Sequence, residues 1–360
     1  MHVLALVTDA FGGRGGIARY NRDFISALAA SDAVDSVTVL PRLCPEAVGT
    51  LPTKVEQTAA VLHPARYSMQ ALLLGRRLPE GSVLFCGHLL MSPLAAIIAQ
   101  LTATPLWLQV HGIDAWPTPC RLVRWGAGQA TLVTSVSRYT KSRMSAWFSG
   151  NPSQIRVLPN TVGSQFSPAP KPPELLNRYG LMGKKVILTV SRLNHADRHK
   201  GHDRVIAALP EIVKRHPDAI YLIVGAGNDV GRLQSLAVAQ GVAALVVFAG
   251  HVSESELPAH FRVADAFIMP STKEGFGIVF LEAALSGLPV IGGNRDGSAD
   301  ALADGQIGRL IDPAAREQIE SALIEALDGP RPCRTGNPQR FAFEHFAHHV
   351  DQLVKSLVRH

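Results

Sequence analysis

Short β-branched runs alternate with amphipathic segments of helical length along the whole chain. This alternation is typical of parallel sheets whose strands are connected by covering helices. A chain of 360 residues is long enough for two domains that each bury a core. The pattern therefore predicts an α/β protein with two doubly wound domains. The predicted strands are 3–8, 36–40, 83–86, 106–110, 132–135 and 155–158 in the first half, and 186–190, 219–224, 245–249, 266–269 and 289–291 in the second.

A proline-rich stretch separates the two sets of strands. Residues 167–173 read SPAPKPP and have no hydrophobic periodicity. Such a stretch cannot continue a helix and is stiff when extended. It predicts a linker between an N-terminal domain, 1–166, and a C-terminal domain, 174–340. The last segment, 341–360, is helix-like and need not belong to the second domain.

The cysteines and the apolar runs predict a reduced, cytoplasmic protein. Cys44, Cys86, Cys120 and Cys333 lie far apart without a C-x-x-C pair, so we expect free thiols and no structural zinc. The chain opens on an apolar strand without the features of a signal peptide. The longest apolar run, 89–101, is shorter than the roughly 20 residues that a membrane helix needs.

A glycine-rich turn follows the first predicted strand. Its glycines can admit a phosphate to the start of the next helix. Gly13, Gly15 and Ala18 also fit the G-x-G-x-x-A dinucleotide pattern, and Gly16 lies within it. The second strand ends at Arg42 without the acidic residue that holds an NAD ribose. An NADP site and a plain tight turn remain alternatives.

Three further polar residues are candidates for a ligand site. His111 follows the strand 106–110, at the carboxyl end where open α/β sheets bind ligands, although a lone histidine is often structural. Arg192 follows the first strand of the second domain, and Lys200 lies in the next loop. Both cations suit a diphosphate, with a solvated pair as the alternative. The chain has no Asp-x-Asp, so no metal-bound diphosphate is expected.

The most specific segment is 270–284, PSTKEGFGIVFLEAA, which follows the strand 266–269. Its glycines precede a predicted helix whose first turn can present free amides to an anion. Glu274 lies before that helix and Glu282 about two turns into it. Each carboxylate can accept hydrogen bonds from paired hydroxyls of a sugar or ribose. Two ordinary helix glutamates are the alternative for the spacing alone.

In order and spacing, these motifs resemble the GT4 family of retaining glycosyltransferases. The resemblance covers nearly the whole chain and implies the GT-B fold, in which two Rossmann-like domains face each other across a cleft. It also implies that 341–360 returns to the N-terminal domain. The motifs are Gly15-Gly16, His111-Gly112, Pro159-Asn160, Ser191-Arg192, Lys200-Gly201, Phe248-Ala249-Gly250, Glu274-Gly275-Phe276-Gly277, Glu282-Ala283 and Gly287-Leu288-Pro289-Val290.

The resemblance implies transfer of a sugar from a UDP- or GDP-linked donor to an acceptor hydroxyl, in bacterial surface polysaccharide or glycolipid assembly. No cofactor and no metal are implied. The implied catalytic residues are His111 beside the reacting sugar, Arg192 and Lys200 on the diphosphate, and Glu274 on the donor sugar. The implied donor-binding residues are Gly15 and Gly16 near the phosphate, Glu282 on the ribose, Gly250 near the base, and Gly275, Phe276, Gly277 and Ile278.

Three other functions are compatible with parts of the pattern. A nucleotide-sugar epimerase of the same fold would release an isomerised donor without an acceptor. A sugar-nucleotide-binding protein would have lost catalysis. An NADP-linked oxidoreductase would show a cofactor-dependent change in absorbance. No nucleic-acid partner is expected.

The net charge of +6 arises entirely before residue 165, since acidic and basic residues balance after it. A basic N-terminal domain can bind an anionic substrate or lie peripherally on the inner face of the plasma membrane. Two groups predict such a surface, with ordinary solvated helix faces as the alternative. The first comprises Arg138, Lys141 and Arg143 before Trp147 and Phe148, and the second comprises Arg66, Arg76 and Arg77 around Leu72 to Leu74.

Overall fold

The computed structural model describes residues 1–329 and 336–358, the last of them by its backbone alone. Cys333 and residues 359–360 lie outside the described residues. The chain divides into two compact units. Unit 1 comprises Met1–Thr161 and Phe341–His360, and unit 2 comprises Val162–Arg340.

Unit 1 contains a seven-stranded parallel sheet, in the order β3-β2-β1-β4-β5-β6-β7. Most of its strands are buried along nearly their whole length, as expected of a parallel sheet covered on both faces. The strands are β1 (His2–Val7), β2 (Ser36–Pro41), β3 (Val55–Gln57), β4 (Val83–Cys86), β5 (Leu106–Val110), β6 (Leu132–Ser135) and β7 (Ile155–Val157).

Helices cover both faces of this sheet. The helices of the first part are α1 (Gly15–Ala30), α2 (Pro64–Gly75), α3 (Ser92–Thr102), α4 (Arg121–Gly128) and α5 (Arg138–Ser145). Buried residues of α2 to α5 share one core cluster with Leu84 and Leu106 of the sheet. On the other face, Phe24 of α1 stacks on Phe85 with ring centroids 4.3 Å apart and meets Trp107 edge-on at 4.9 Å.

Unit 2 contains a six-stranded parallel sheet, in the order β10-β9-β8-β11-β12-β13. Its strands are β8 (Lys185–Val190), β9 (Ala219–Val224), β10 (Val246–Gly250), β11 (Ala266–Met269), β12 (Val290–Gly293) and β13 (Arg309–Ile311). Its helices are α6 (Pro173–Arg178), α7 (His202–Arg215), α8 (Val230–Ala239), α9 (Leu257–Val263), α10 (Ile278–Leu285), α11 (Ser298–Ala301) and α12 (Arg316–Asp328). One buried cluster joins β8, β9, β11 and β12 to α7 and α12.

The last helix, α13 (Phe343–Val358), belongs to unit 1 and packs against α1. Phe346 is 4% exposed and meets the ring of Tyr20 edge-on, with centroids 6.0 Å apart. Asp351 accepts a hydrogen bond from the hydroxyl of Ser31 at 2.6 Å. The α13 segment therefore completes the core of the unit that contains the start of the chain.

The prediction of two parallel-sheet α/β domains is confirmed. Two short strands, β3 and β13, were not predicted, because three-residue strands carry little hydrophobic pattern. Helix α1 begins at Gly15, before Ile17 where the apolar pattern starts. The division between the units falls after Thr161, and α6 begins at the last proline of the predicted linker, Pro173.

One predicted membrane-facing group is wrong in part. Trp147 and Phe148 are 7% and 9% exposed, and both belong to the core of unit 1. The indole N–H of Trp147 donates to the carbonyl of Ala115 at 2.8 Å. The arginines of the second group, Arg66, Arg76 and Arg77, are exposed. No helix in the described residues is both long and apolar enough to cross a bilayer.

The packing of α13 on α1 predicts a large effect of truncating Phe346. Phe346→Ala should lower the free energy of unfolding by about 3 to 5 kcal/mol, because it leaves a cavity beside Tyr20. Urea unfolding followed by circular dichroism measures this change. Lys355→Ala on the same helix, whose ion pair with Asp351 is on the surface, should change it by less than about 1 kcal/mol. Equal effects of the two substitutions would contradict this packing.

Candidate active site

The polar residues singled out in unit 2 lie in loops at the carboxyl ends of its strands. Arg192 follows β8, Lys200 ends the 3-10 helix His195–Lys200, and Glu274 lies between β11 and α10. Since β8 and β11 are neighbouring parallel strands, their loops meet at one edge of the sheet. This edge is the candidate active site of unit 2.

Lys200 and Glu274 form an ion pair across these two loops. The Nζ of Lys200 lies 2.7 Å from Oε2 of Glu274, and their side chains are only 14% and 18% exposed. Partial burial strengthens the attraction relative to a surface pair. The structure thus brings together the two residues predicted to contact the diphosphate and the donor sugar.

Backbone contacts hold the same two loops together. The amide of Thr272 donates to the carbonyl of His199 at 3.0 Å, and Arg204 of α7 donates to the carbonyl of Pro270 at 3.1 Å. A Cβ at Gly201 would lie 2.6 Å from the carbonyl oxygen of Pro270. Glycine therefore allows the lysine loop to approach the glutamate loop this closely.

Arg192 contacts the 3-10 helix His195–Lys200, the turn that ends at Lys200. Its guanidinium donates to Oδ1 of Asp197 at 3.1 Å, while its side chain remains 73% exposed. Asp197 lies inside the 3-10 helix that ends at Lys200. The two cations therefore flank one turn, and Arg192 is exposed enough to meet a ligand.

A second carboxylate, Asp229, binds side chains of this turn. It accepts hydrogen bonds from His195 at 2.8 Å, from Nε of Arg198 at 2.9 Å and from Arg232 at 2.6 Å. These contacts, above all the one with Arg232, hold the pKa of the Asp229 carboxyl well below its usual range. Asp229 is 2% exposed and stays ionised, so it can anchor His195 and Arg198 of the turn. Sequence reasoning missed this residue.

Two glycines after β9 let the arginine loop lie directly on the neighbouring backbone. A Cβ at Gly225 would be 1.8 Å from the carbonyl oxygen of Ser191, and one at Gly227 would be 2.2 Å from that of Leu193. The amide of Leu193 donates to the carbonyl of Ala226 at 3.0 Å. The Gly225-Ala226-Gly227 sequence was a signal that the sequence analysis did not use, and it supports the loop that carries Arg192.

Asp296, also missed from the sequence, supports the Glu274 loop. It is 2% exposed and accepts the amide of Glu274 on Oδ2 at 2.7 Å and the amide of Ser298 on Oδ1 at 2.9 Å. The amide of Gly297 donates back to the carbonyl of Glu274 at 2.8 Å. Burial raises the pKa of Asp296 to about 6. The β12–α11 loop therefore positions Glu274.

The glycine pair and the second glutamate occupy the start of α10. Gly275, Phe276 and Gly277 are buried, and Ile278 is the first residue of the helix. Glu282 is the fifth helical residue, one turn inside the helix where two were expected, and is 2% exposed. The amides of Ile278 and Val279 in the first turn of α10 can donate to an anion, while the amide of Phe280 donates to the carbonyl of Gly277 at 3.1 Å.

Gly250 is the last residue of β10, and the space where its Cβ would lie is open. Its carbonyl accepts the amide of Gly225 at 2.8 Å, which joins it to the glycines beneath Arg192. The residue predicted to lie near the donor base is therefore connected to the residue predicted to contact the diphosphate.

In unit 1, His111 lies at the carboxyl end of β5. Its Nε2 donates to the carbonyl of Gly87 at 2.9 Å, and Tyr20 of α1 meets its ring edge-on with centroids 5.0 Å apart. Burial lowers the pKa of His111 to about 4. Near neutral pH the ring is uncharged, and with Nε2 protonated its Nδ1 is a hydrogen-bond acceptor.

Gly15 and Gly16 open α1, the helix that carries Tyr20. Both glycines are exposed, and the space where a Cβ would lie is open at each. A ligand can therefore approach their backbone closely. His111 and this glycine turn lie at the same edge of the unit 1 sheet because both follow parallel strands.

Comparisons with known proteins agree with this arrangement. The family described as Glycosyl transferases group 1 matches residues 174–340, and the Glycosyl transferase 4-like domain matches residues 15–161. The GDP-mannose-dependent alpha-(1-6)-phosphatidylinositol monomannoside mannosyltransferase of Mycobacterium tuberculosis is 31% identical over 345 residues, which cover 90% of this chain and 89% of that protein. The protein of the same name from Mycolicibacterium smegmatis is 35% identical over 67% of this chain and 65% of its own length.

Among solved structures, HepE of Anabaena in complex with UDP has a similar fold. Its TM-score is 0.77 at 19% identity, with 99% of this chain and 100% of that chain covered. The chain belongs to the GT4 family of glycosyltransferases and has the two α/β domains of the GT-B fold. It is a glycosyltransferase that uses a nucleotide sugar.

The two hydrogen bonds of Asp296 predict that Asp296→Asn loosens the Glu274 loop. An amide has one acceptor oxygen where the carboxylate has two, so one backbone N–H loses its partner at a cost of about 1 to 3 kcal/mol. Hydrogen–deuterium exchange should become faster in residues 270–277, and the free energy of unfolding should fall.

Glu325→Gln is the control for Asp296→Asn, because it makes the same chemical change at a side chain that is 76% exposed. It should leave both measurements nearly unchanged. Unaltered exchange of the 270–277 loop in Asp296→Asn would show that Asp296 does not hold it.

The buried histidine beneath Arg192 predicts a pH-dependent stability. His202 is 4% exposed and lies 2.9 Å from the hydroxyl of Ser191. Burial, and next the charge of Lys200, lower its pKa to about 4. Below about pH 6.5 the unfolded chain takes up a proton that the folded chain takes up only near pH 4. The contribution of His202 to the free energy of unfolding should therefore fall as the pH decreases from 6.5 to 4.

Urea unfolding of the protein and of His202→Gln at pH 7.5 and pH 5 tests this dependence. The stability difference between the two proteins should shrink at pH 5, by about 2 kcal/mol. His345→Gln makes the same substitution at an exposed histidine of α13 and is the matched control. A difference that does not change with pH would contradict the buried, neutral His202.

Proposed function

We propose that this protein transfers mannose from GDP-mannose to a hydroxyl of a membrane glycolipid, with retention of the anomeric configuration and without a metal. The observation that supports it best is the Lys200–Glu274 pair at 2.7 Å, with Arg192 bound to Asp197 of the turn that ends at Lys200. This arrangement offers two positive charges for a diphosphate and a carboxylate for the sugar attached to it.

The choice of donor is supported by the relatives that are similar over most of the chain. Both mannosyltransferases described above are named as GDP-mannose-dependent, and their names give a phosphatidylinositol monomannoside as the acceptor. We propose an acceptor of the same class, an inositol-containing lipid that already carries a sugar. The basic N-terminal unit is suited to such an anionic lipid at the inner face of the plasma membrane.

In the proposed reaction the bond between the anomeric carbon and the β-phosphate oxygen breaks. A bond forms from the same face between that carbon and the acceptor oxygen, and the acceptor proton passes to the departing phosphate. Arg192 and Lys200 stabilise the negative charge that grows on the diphosphate, together with the amides at the start of α10. In this reaction cationic side chains supply the positive charge that a metal ion supplies in other transferases.

The remaining residues hold the donor. We propose that Glu274 accepts hydrogen bonds from sugar hydroxyls and Glu282 from the ribose. Gly250 lies near the base. In unit 1, the Gly15-Gly16 amides can donate to a phosphate oxygen, and Nδ1 of His111 can accept from a sugar hydroxyl, since its low pKa of about 4 makes it a poor base near neutral pH.

The positions of Lys200 and Arg192 predict how much turnover each positive charge contributes. Lys200→Ala should lower the turnover of mannose transfer about 100- to 1,000-fold, because a charge that stabilises the leaving group is lost from a partly buried position. Arg192→Ala should lower it less, since its side chain is 73% exposed and more screened. Transfer of radiolabelled mannose from GDP-mannose to a phosphatidylinositol mannoside measures both.

Lys214→Ala, at an exposed lysine of α7 that pairs with Glu211, is the matched control and should remain fully active. EDTA should leave the activity of the unmodified protein intact. Near wild-type turnover in both Lys200→Ala and Arg192→Ala would reject the assigned diphosphate site. Loss of activity in EDTA that Mg²⁺ restores would reject the metal-independent reaction.

A further inference from the structure

Helices α2, α3 and α4 form one outer layer of unit 1. Their buried residues share a single core cluster, and each helix packs against the next. Tyr67 of α2, Ile98 of α3 and Val123 of α4 all point into this cluster. The opposite sides of the three helices therefore form a continuous surface, which we call the α2–α4 face.

Large apolar side chains are exposed on every helix of the α2–α4 face. In the described residues, the exposed large apolar side chains of unit 2 are only Met182 and Val238, whereas most of the others lie on or beside this face. The members within the three helices are Met69 (59% exposed), Leu73 (50%), Ile97 (42%), Leu101 (62%), Leu122 (59%) and Trp125 (36%). Exposed apolar residues grouped in this way mark an interaction surface.

The charges of the α2–α4 face have one sign. The sequences of α2, α3 and α4 contain no Asp or Glu. Exposed arginines lie on the face or at its helix ends, and within the described part of the chain none of them forms an ion pair. They are Arg66, Arg76, Arg77, Arg121 and Arg124. Apolar side chains mixed with unpaired arginines suit the headgroup region of an anionic membrane.

We propose that the α2–α4 face binds an anionic lipid bilayer. Leu73, Leu101 and Leu122 enter the boundary between headgroups and acyl chains, and the arginines contact lipid phosphates. A second copy of the chain fits this face poorly, because a symmetric contact would bring like-charged arginines together. The inference extends the proposed function, since it names the surface that brings the protein to a lipid acceptor.

The proposed face includes the second group predicted from the sequence, at α2, and differs from the first group, at α5. There the aromatic side chains Trp147 and Phe148 are buried in the core. On the α2–α4 face the apolar side chains point outward, as membrane insertion requires. Leu73→Glu/Leu101→Glu places two negative charges on neighbouring helices of the face, at positions that tolerate polar groups because they are 50% and 62% exposed.

Sedimentation with vesicles tests this surface without donor or acceptor. The protein should bind vesicles of phosphatidylcholine mixed with phosphatidylglycerol at low salt, and bind phosphatidylcholine vesicles much more weakly. Leu73→Glu/Leu101→Glu should weaken binding to the mixed vesicles at least about tenfold, because apolar insertion is lost and repulsion is added. Arg66→Ala and Arg124→Ala should each weaken it about fivefold.

Met182→Glu/Val238→Glu is the matched control, since it adds the same charge at exposed apolar positions of unit 2, which are 60% and 68% exposed. It should bind vesicles like the unmodified protein. Equal loss in both double variants, or equal binding to both kinds of vesicle, would overturn the proposal. Gel filtration gives a further test. If the protein self-associates and Leu73→Glu/Leu101→Glu abolishes that association, the face binds a second copy and the proposal is overturned.

Mannose transfer to an acceptor dispersed in detergent separates this proposal from the proposed function. Leu73→Glu/Leu101→Glu should keep its activity there, because the substituted residues lie on the outer layer, away from the strand ends that carry His111 and the glycine turn. Vesicle binding without transferase activity would reject the proposed reaction and keep the surface. Transferase activity without vesicle binding would reject the proposed membrane surface and keep the proposed reaction.

Discussion

The ion pair between Lys200 and Glu274 is the contact on which the unit 2 site depends. It joins the loops that follow β8 and β11, and each partner is mostly shielded from water. The contact fixes the distance between a hydrogen-bond donor, the ammonium of Lys200, and an acceptor, the carboxylate of Glu274. The rest of the site supports one partner or the other.

The support comes from backbone approach and from buried acids. Gly201 lets the lysine loop touch Pro270, and Gly225 and Gly227 let the arginine loop lie against the end of β9. Asp229 anchors the turn that ends at Lys200, and Asp296 accepts the amide of Glu274. A site that must stabilise a growing negative charge gains from such rigidity, because its dipoles need no rearrangement during the reaction.

The sequence indicated candidate ligand-binding residues but not the residues that hold them in place. Arg192 follows β8 closely, and Lys200 and Glu274 lie in loops directly before Gly201 and Gly275, so this pattern can be read along the chain. Asp229 and Asp296 act on residues that are distant in sequence or lie in another loop, so their roles depend on the folded contacts. The prediction that Trp147 faces a membrane was wrong for a related reason. The position of an aromatic residue after a basic helix does not show whether its side chain faces the core or the solvent.

We propose that Lys200 contacts the terminal phosphate of the donor's diphosphate. Isothermal titration calorimetry with GDP and GMP, on the unmodified protein and on Lys200→Ala, isolates that contact. We expect GDP to bind more tightly than GMP, and Lys200→Ala to remove about 1.5 to 3 kcal/mol of this preference. An unchanged preference for GDP in Lys200→Ala would show that Lys200 does not contact this phosphate.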